Sequence, residues 1–268
     1  LLMRLLDAIV SGSAAGIFKA DHLVHLRCEV GDEATPAFLA TALAQGSVAV
    51  ASVMDHTPGG RQTHDLEGHI RRRAEALGRS VADERADIEA IQAKLEGVAE
   101  RVRPQVVAQL QSGAMPLMSH DDATARDVDQ ARDEGIAICE FPTTMEAGRA
   151  ARAAGMTVVA GAPNYVRGGS QSGNVAVADL LRAGLVDILA SDYVPRSILD
   201  AVFALGEDDT IAIDLPAAVK MATLSPARAV GLADRGAIAV GQRADLVRVG
   251  MAGKPFVKSV WRAGNRVT

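Results

Sequence analysis

The sequence predicts an α/β fold assembled from parallel βαβ units. Six short apolar runs alternate with helical stretches between residues 22 and 193, and strands that alternate with helices pack as a parallel sheet covered by those helices. Hydrophobic residues make up 49% of the 268 and aromatics only 3%, so a sizeable core is available and is built of Ala, Val, Leu and Ile. The tail changes character: "GAIAVGQRADLVRVG" and "PFVKSVWRAGNRV" read as antiparallel strands with Gly turns.

The elements follow in order. "LLMRLLDAIV" (1–10) is an amphipathic helix ending near Ser11-Gly12-Ser13. "HLVHLRCEV" (22–30) alternates polar with apolar residues, which makes a strand with His25, Arg27 and Glu29 on one face. "SVAVASVMDH" (47–56) is the second run, closed by Thr57-Pro58-Gly59-Gly60. Residues 62–111 are charged, Ala-rich and nearly free of Pro, and predict two or three outer helices. "MPLMS" (115–119), "AICEFP" (137–142), "MTVVAGAPN" (156–164) and "LVDILASDY" (185–193) are the remaining runs. Helical patterns separate them, as at 123–135, 145–154 and 175–184, and return after 193, notably over 215–232. Residues 1–233 are thus expected to form the barrel-like part, with a helical insertion at about 62–111, and 234–268 a small β subdomain.

Charge and cysteine content narrow the partners. A net charge of −5 and no polybasic tail argue against nucleic acid. Cys28 and Cys139 lie inside apolar runs, as reduced thiols of a cytoplasmic protein do. No signal-peptide pattern opens the chain, and no apolar stretch approaches the roughly 20 residues of a membrane helix. A small-molecule partner is expected, with no membrane association and with homo-oligomer formation open. The chain opens directly on a helix without Met, and the expectation is a partial chain.

Chemistry in parallel α/β folds gathers at the carboxyl ends of the strands. Here those ends carry Glu29, Asp55-His56, His120-Asp121-Asp122, Glu140, Asn164 and Asp192. One His at such a place is commonly a turn residue. A series of imidazoles and carboxylates suits a divalent cation, which makes hydroxide available near neutral pH. "RGGSQSGN" (167–174) offers Gly-rich backbone and hydroxyls able to cradle phosphate, without the Walker A pattern. Arg27, Arg61 and Arg167 lie at strand ends or loops, and Arg forks fit phosphate oxygens. The run Arg71-Arg72-Arg73 reads as a solvated helix face. With no Gly-x-Ser-x-Gly elbow and no convincing nucleophilic Cys, metal-activated water is favoured over a covalent intermediate.

The order Glu29, His56, His120, Asp192, with the tail "GAIAVGQRADLVRV", resembles the amidohydrolase superfamily. The resemblance implies a (β/α)8 TIM-like metal-dependent hydrolase barrel, incomplete at its amino terminus, that starts on the helix before strand four. It implies metal ligands at Glu29 (strand four), His56 and His120 (strands five and six) and Asp192 (strand eight), holding one or two ions of Zn, Mn or Fe. Asp192 would be the general base, with His120 beside it in the catalytic group. His25, Asp55, Asp121 and Asp122 would support the ligands from behind. "HLRCE", "SVMDHTPGGRQ", "SHDDAT", "EFPTTMEA", "GAPNYVRGGSQSGN" and "SDYVP" are similar, more narrowly, to the diphosphatases of the carbon–phosphorus lyase pathway. That narrower resemblance implies hydrolysis of alpha-D-ribose 1-methylphosphonate 5-triphosphate to the 5-phosphate plus diphosphate in phosphonate catabolism. Substrate contacts would come from Arg27, Arg61, Arg167, Gly168, Gly169, Ser170 and Asn174. Two other readings stay open: a different amidohydrolase reaction (cyclic-amide hydrolase or deaminase), and an inactive fragment that keeps phosphate affinity.

Overall fold

The computed structural model describes residues 2–170 and 172–268. Six parallel strands form one sheet: β1 (Val24–Glu29), β2 (Val48–Met54), β3 (Leu117–His120), β4 (Ile138–Glu140), β5 (Thr157–Gly161) and β6 (Ile188–Ala190). Their order in space is their order in sequence. Each crossover therefore steps one place in one direction, as the wall of a (β/α)8 barrel does.

Period-two alternation sorts the sheet into two faces. Leu26, Cys28, Val30, Ala51, Val53, Leu117, Cys139 and Val158 point outward into the largest core cluster. They meet α2 (Thr35–Ala44), α5 (Val98–Gln111) and α7 (Met145–Ala153) through Leu39, Val106, Leu110 and Ala151. The inward face has a thin apolar floor of Val50, Met118, Ile138, Val159 and Ile188. His25, Arg27, Glu29, Ser52, His120 and Glu140 share that face by alternation. Polar side chains at these positions meet one another across the sheet, and His25 and Arg27 are also exposed to solvent.

Of the remaining helices, α1 (Leu2–Ala14) packs on the outer core through Leu6. The stretch 62–111 holds three helices: α3 (Leu66–Leu77), α4 (Val81–Leu95) and the already described α5. α6 (Ala125–Asp133) opens on a capping box, in which Thr124 and Asp127 satisfy each other's backbone N–H. α8 (Ala162–Arg167), α9 (Val177–Arg182) and α10 (Ser197–Gly206) follow. Residues 215–232 form two helices, α11 (Leu215–Ala222) and α12 (Leu224–Ala229), because the ring of Pro226 would strike the Ala222 carbonyl in a continuous helix.

Three expectations need correction. The run 156–164 stops being a strand at Gly161, and Asn164 lies within α8, where Pro163 takes a first-turn position that suits it. The tail is antiparallel only from Leu246: β7 (Leu246–Ala252), β8 (Lys254–Arg262) and β9 (Asn265–Arg266) form a separate sheet. Ile238 and Val240, fully exposed, have no strand partner among the described residues. Lastly, six strands run from that of Glu29 to the one preceding Asp192, whereas strands four to eight would be five.

Candidate functional site

The strand ends turn sharply to bring their side chains together. Asp121, Phe141 and Asp192 have positive φ, at 58°, 59° and 47°. Non-glycine residues rarely adopt this conformation, and where they do the surroundings must hold it. Here Asp121 N donates to Glu140 O and Phe141 N to Val159 O, so each strand end fixes the turn of its neighbour.

His56, His120 and Asp121 are brought together as one group able to hold a metal ion. His120 Nδ1 lies 2.9 Å from Asp121 Oδ2, and His56 Nε2 lies 3.7 Å from the same oxygen. Both His120 Nδ1 and Asp121 Oδ2 are buried without a hydrogen-bond partner. A buried polar atom left unpaired is costly, and two of them aimed at one point, beside a third nitrogen, fit a divalent cation by donor chemistry.

Glu29 stands behind this group and is not brought into it. Its Oε1 accepts from the Gly31 and His56 backbone N–H, and His56 Nδ1 donates to its Oε2 at 2.5 Å. The hydrogen bond that His56 donates to Glu29 raises the His56 pKa; burial pushes the Glu29 carboxyl up, but the His56 and Gly31 bonds outweigh it and leave it lowered. The proton therefore stays on Nδ1, and Nε2 is the atom presented to Asp121.

On the other side, Arg27 Nη2 donates to His120 Nε2 at 3.0 Å. Glu140 Oε2 is 3.8 Å from the same nitrogen and accepts from Ser52 Oγ at 2.6 Å, which in turn contacts His25 Nε2 at 2.5 Å. Loss of water around the His25 ring lowers its pKa. Glu140 and Ser52 received no role from the sequence. Glu140 carried a visible signal, a carboxylate at a strand end, while Ser52 was hidden in an apolar run.

Arg61 and Asp122 are the clearest departures. Asp122 is fully buried, and Arg61 Nη1 and Ser119 Oγ both donate to it. Arg61 also reaches Gln130 Oε1. Its guanidinium is committed to locking the β3 turn, so it is not placed to take substrate. Burial, reinforced by the Asp122 charge, holds the Cys139 thiol far above its usual pKa, and burial pushes Cys28 to about 12; neither is a nucleophile. Asp55 accepts from Thr57 N, as a turn residue does.

A cavity of about 230 Å³ runs from this cluster to the loops. Arg27, His120, Asp121 and Asp192 line its barrel end, and Gln62, Gly169, Ser170 and Asn174 its loop end. Loss of water on the cavity wall raises the Asp192 pKa. Gly168, at φ 79°, ends α8 with the left-handed cap that frees the chain to turn. Arg167 is exposed at that corner and donates to Tyr193 OH, itself on the cavity wall. Asn174 Nδ2 donates to Gln62 O. Gln171, inside the loop read as a phosphate cradle, lies outside the described residues.

Comparison with known proteins bears on the family and the fold. The alpha-D-ribose 1-methylphosphonate 5-triphosphate diphosphatase of Escherichia coli (strain K12) is 40% identical over 99% of this chain and 71% of its own length. The crystal structure of a prolidase complexed with N-methylphosphonate-L-proline covers 97% of this chain and 72% of its own, with a TM-score of 0.56 at 14% identity. A second crystal structure, of an uncharacterised protein, gives a TM-score of 0.57, also at 14% identity, over 98% of this chain and 72% of its own. At that identity the likeness is one of fold: a parallel barrel wall followed by a small antiparallel sheet. The amidohydrolase family is matched over residues 75–267, a span holding four of the six wall strands and His120, Asp121, Glu140 and Asp192, and this chain belongs to that family.

Proposed function

We propose that this protein hydrolyses alpha-D-ribose 1-methylphosphonate 5-triphosphate to the 5-phosphate and diphosphate, in the breakdown of phosphonates. The observation that carries the reading is 40% identity over 99% of the chain to a diphosphatase of that substrate. His56, His120 and Asp121 are the residues proposed to hold a Zn, Mn or Fe ion. Such an ion supplies Lewis acidity and lowers the pKa of water toward neutrality. Glu29 holds His56 in the tautomer this requires.

The chain's own groups do the rest. Asp192, held above the usual carboxylate pKa chiefly by desolvation, takes the proton of the attacking water; a raised pKa makes it the better base near neutrality. The water oxygen bonds to the α-phosphorus, the α–β anhydride bond breaks, and diphosphate leaves with the bonding electrons. Arg27, at the barrel end of the cavity, offers charge to the α-phosphate. Gly169, Ser170 and Asn174 offer backbone and side-chain donors further out, with Arg167 at the corner.

The test is diphosphate release from the ribose triphosphate by the metal-loaded protein, with ring opening of hydantoins and dihydroorotate followed in parallel. Release from the ribose triphosphate alone is expected, and its absence would overturn the reading. His56→Ala and His120→Ala are each expected to lose bound metal by elemental analysis. Normal metal content in both would remove these residues as ligands.

A further inference from the structure

The three consecutive arginines of α3 do not share one solvated face. Arg73 Nε donates to Glu84 Oε1 at 2.5 Å, and Glu84 is fully buried, so Arg73 ties α3 to α4. Arg72 turns toward the loop after β5. A Cβ built on Gly173 would lie 2.9 Å from Arg72 Nη1 and 3.2 Å from its Cζ. The nearest acid to that guanidinium, Asp65, is 3.7 Å away, and the side chain is 40% exposed. Gly173 has φ 77°, and its neighbours Ser172 and Asn174 both line the cavity. Asn174 also donates to Gln62 O, across the mouth. The helical insertion and the Gly-rich loop thus meet beside the cavity, and Arg72 stands at that junction, next to the wall residues Ser172 and Asn174 rather than on the wall itself.

We propose that Arg72 grips the outer phosphates of the substrate and so selects a triphosphate over shorter chains. The inference rests on the function proposed above. Three features support it. The loop end of the cavity is lined by Gln62, Ser170, Ser172 and Asn174, all uncharged, while Arg27 stands at the other end against His120. The β- and γ-phosphates of a triphosphate attacked at its α-phosphorus extend away from the metal group, toward that loop end. Arg61, in the loop after β2, is locked on Asp122. A planar guanidinium across a glycine with no side chain to block it can fork onto two phosphate oxygens, and an ion pair of 3.7 Å to Asp65 leaves that exchange inexpensive.

The experiment compares wild type with Arg72→Ala, Arg72→Gln, which keeps part of the stem, and Arg71→Ala as a neighbouring control. Each is measured for KM and kcat on the ribose triphosphate, for binding of inorganic diphosphate by titration calorimetry, for metal content and for thermal melting. Both Arg72 variants should weaken diphosphate binding and raise KM about tenfold or more, with metal content and melting temperature unchanged and Arg71→Ala like wild type. Equal KM and equal diphosphate affinity in both Arg72 variants would overturn the proposal, as would a wild type that binds no diphosphate. A wild type that binds diphosphate through Arg72 yet leaves the ribose triphosphate intact would sustain the phosphate grip and reject the proposed reaction.

Discussion

Asp121, Phe141 and Asp192 carry the strain of this site in their backbones, each with positive φ at a strand end. The conformation aims Asp121 at His120 instead of letting it cap α6, a task that passes to Thr124 and Asp127. Its neighbour Asp122 points the other way, into the protein, where it is fully buried against Arg61 and Ser119. Adjacent aspartates thus take opposite work: one faces the cation site, the other anchors the turn that aims it. Removing one partner of a buried ion pair leaves a charge stranded, at a cost of about 3–5 kcal/mol. Arg61→Ala should therefore lower the unfolding free energy by about that amount, measured in urea. A loss below about 1 kcal/mol, the size of a surface pair, would show that the buried pair contributes little.

At the scale of elements, the C-terminal sheet is tied to the barrel wall by one charged knot. Asp21, in the loop between α1 and β1, accepts from Arg243 at 2.5 Å and from Arg262, while Arg262 also donates to Phe18 O. The bond from Arg243, ahead of the others, holds the Asp21 carboxyl below its ordinary pKa of 3.8. A depressed folded pKa means that the stabilising contribution is present above the unfolded value and is lost as pH falls through the folded one. The tie should hold unchanged from neutrality down to about pH 5 and loosen only in strong acid. Asp21→Asn should loosen it at neutral pH, and the difference from wild type should vanish in strong acid. Amide hydrogen exchange in β8 and β9 is the measurement; equal protection in the variant and wild type at pH 7 would refute the tie. The insertion shows a related division of labour. Buried Glu84 holds both Arg73 and Arg79, which fixes α3 against α4 and sets Arg72 over the loop after β5.

For the molecule as a whole, the sheet order leaves β1 and β6 as edges, since neither has a second strand partner among the described residues. Unpaired strand edges invite association. Ile238 and Val240 add exposed apolar surface at 92% and 107% relative exposure. This chain on its own should self-associate with rising concentration, as light scattering coupled to size-exclusion chromatography would show. A monomer at every concentration would mean that both edges are covered. No helix among the described residues is long and apolar enough to cross a membrane, so the exposed apolar residues do not belong to a helical span.

The alternation of apolar runs with helical stretches was enough to determine a parallel wall, because the periods of strand and helix are written locally in side-chain order. The strand ends were legible for the same reason, and with them His56, His120, Asp121, Glu140 and Asp192 as a set. What the local pattern could not contain was direction. Asp121 and Asp122 are identical residues one step apart, and only the positive φ at Asp121 sends one into the site and the other to Arg61. Glu29 reads as a ligand until the fold places the His56 ring between it and Asp121. Arg61 turns from the cavity to Asp122 because burial is set by which helices close over a loop, and these two residues, 61 apart in sequence, meet only in the folded chain. Sequence periodicity decides which face a residue occupies; the tertiary structure decides which partner it meets there, because that depends on contacts between segments remote in the chain.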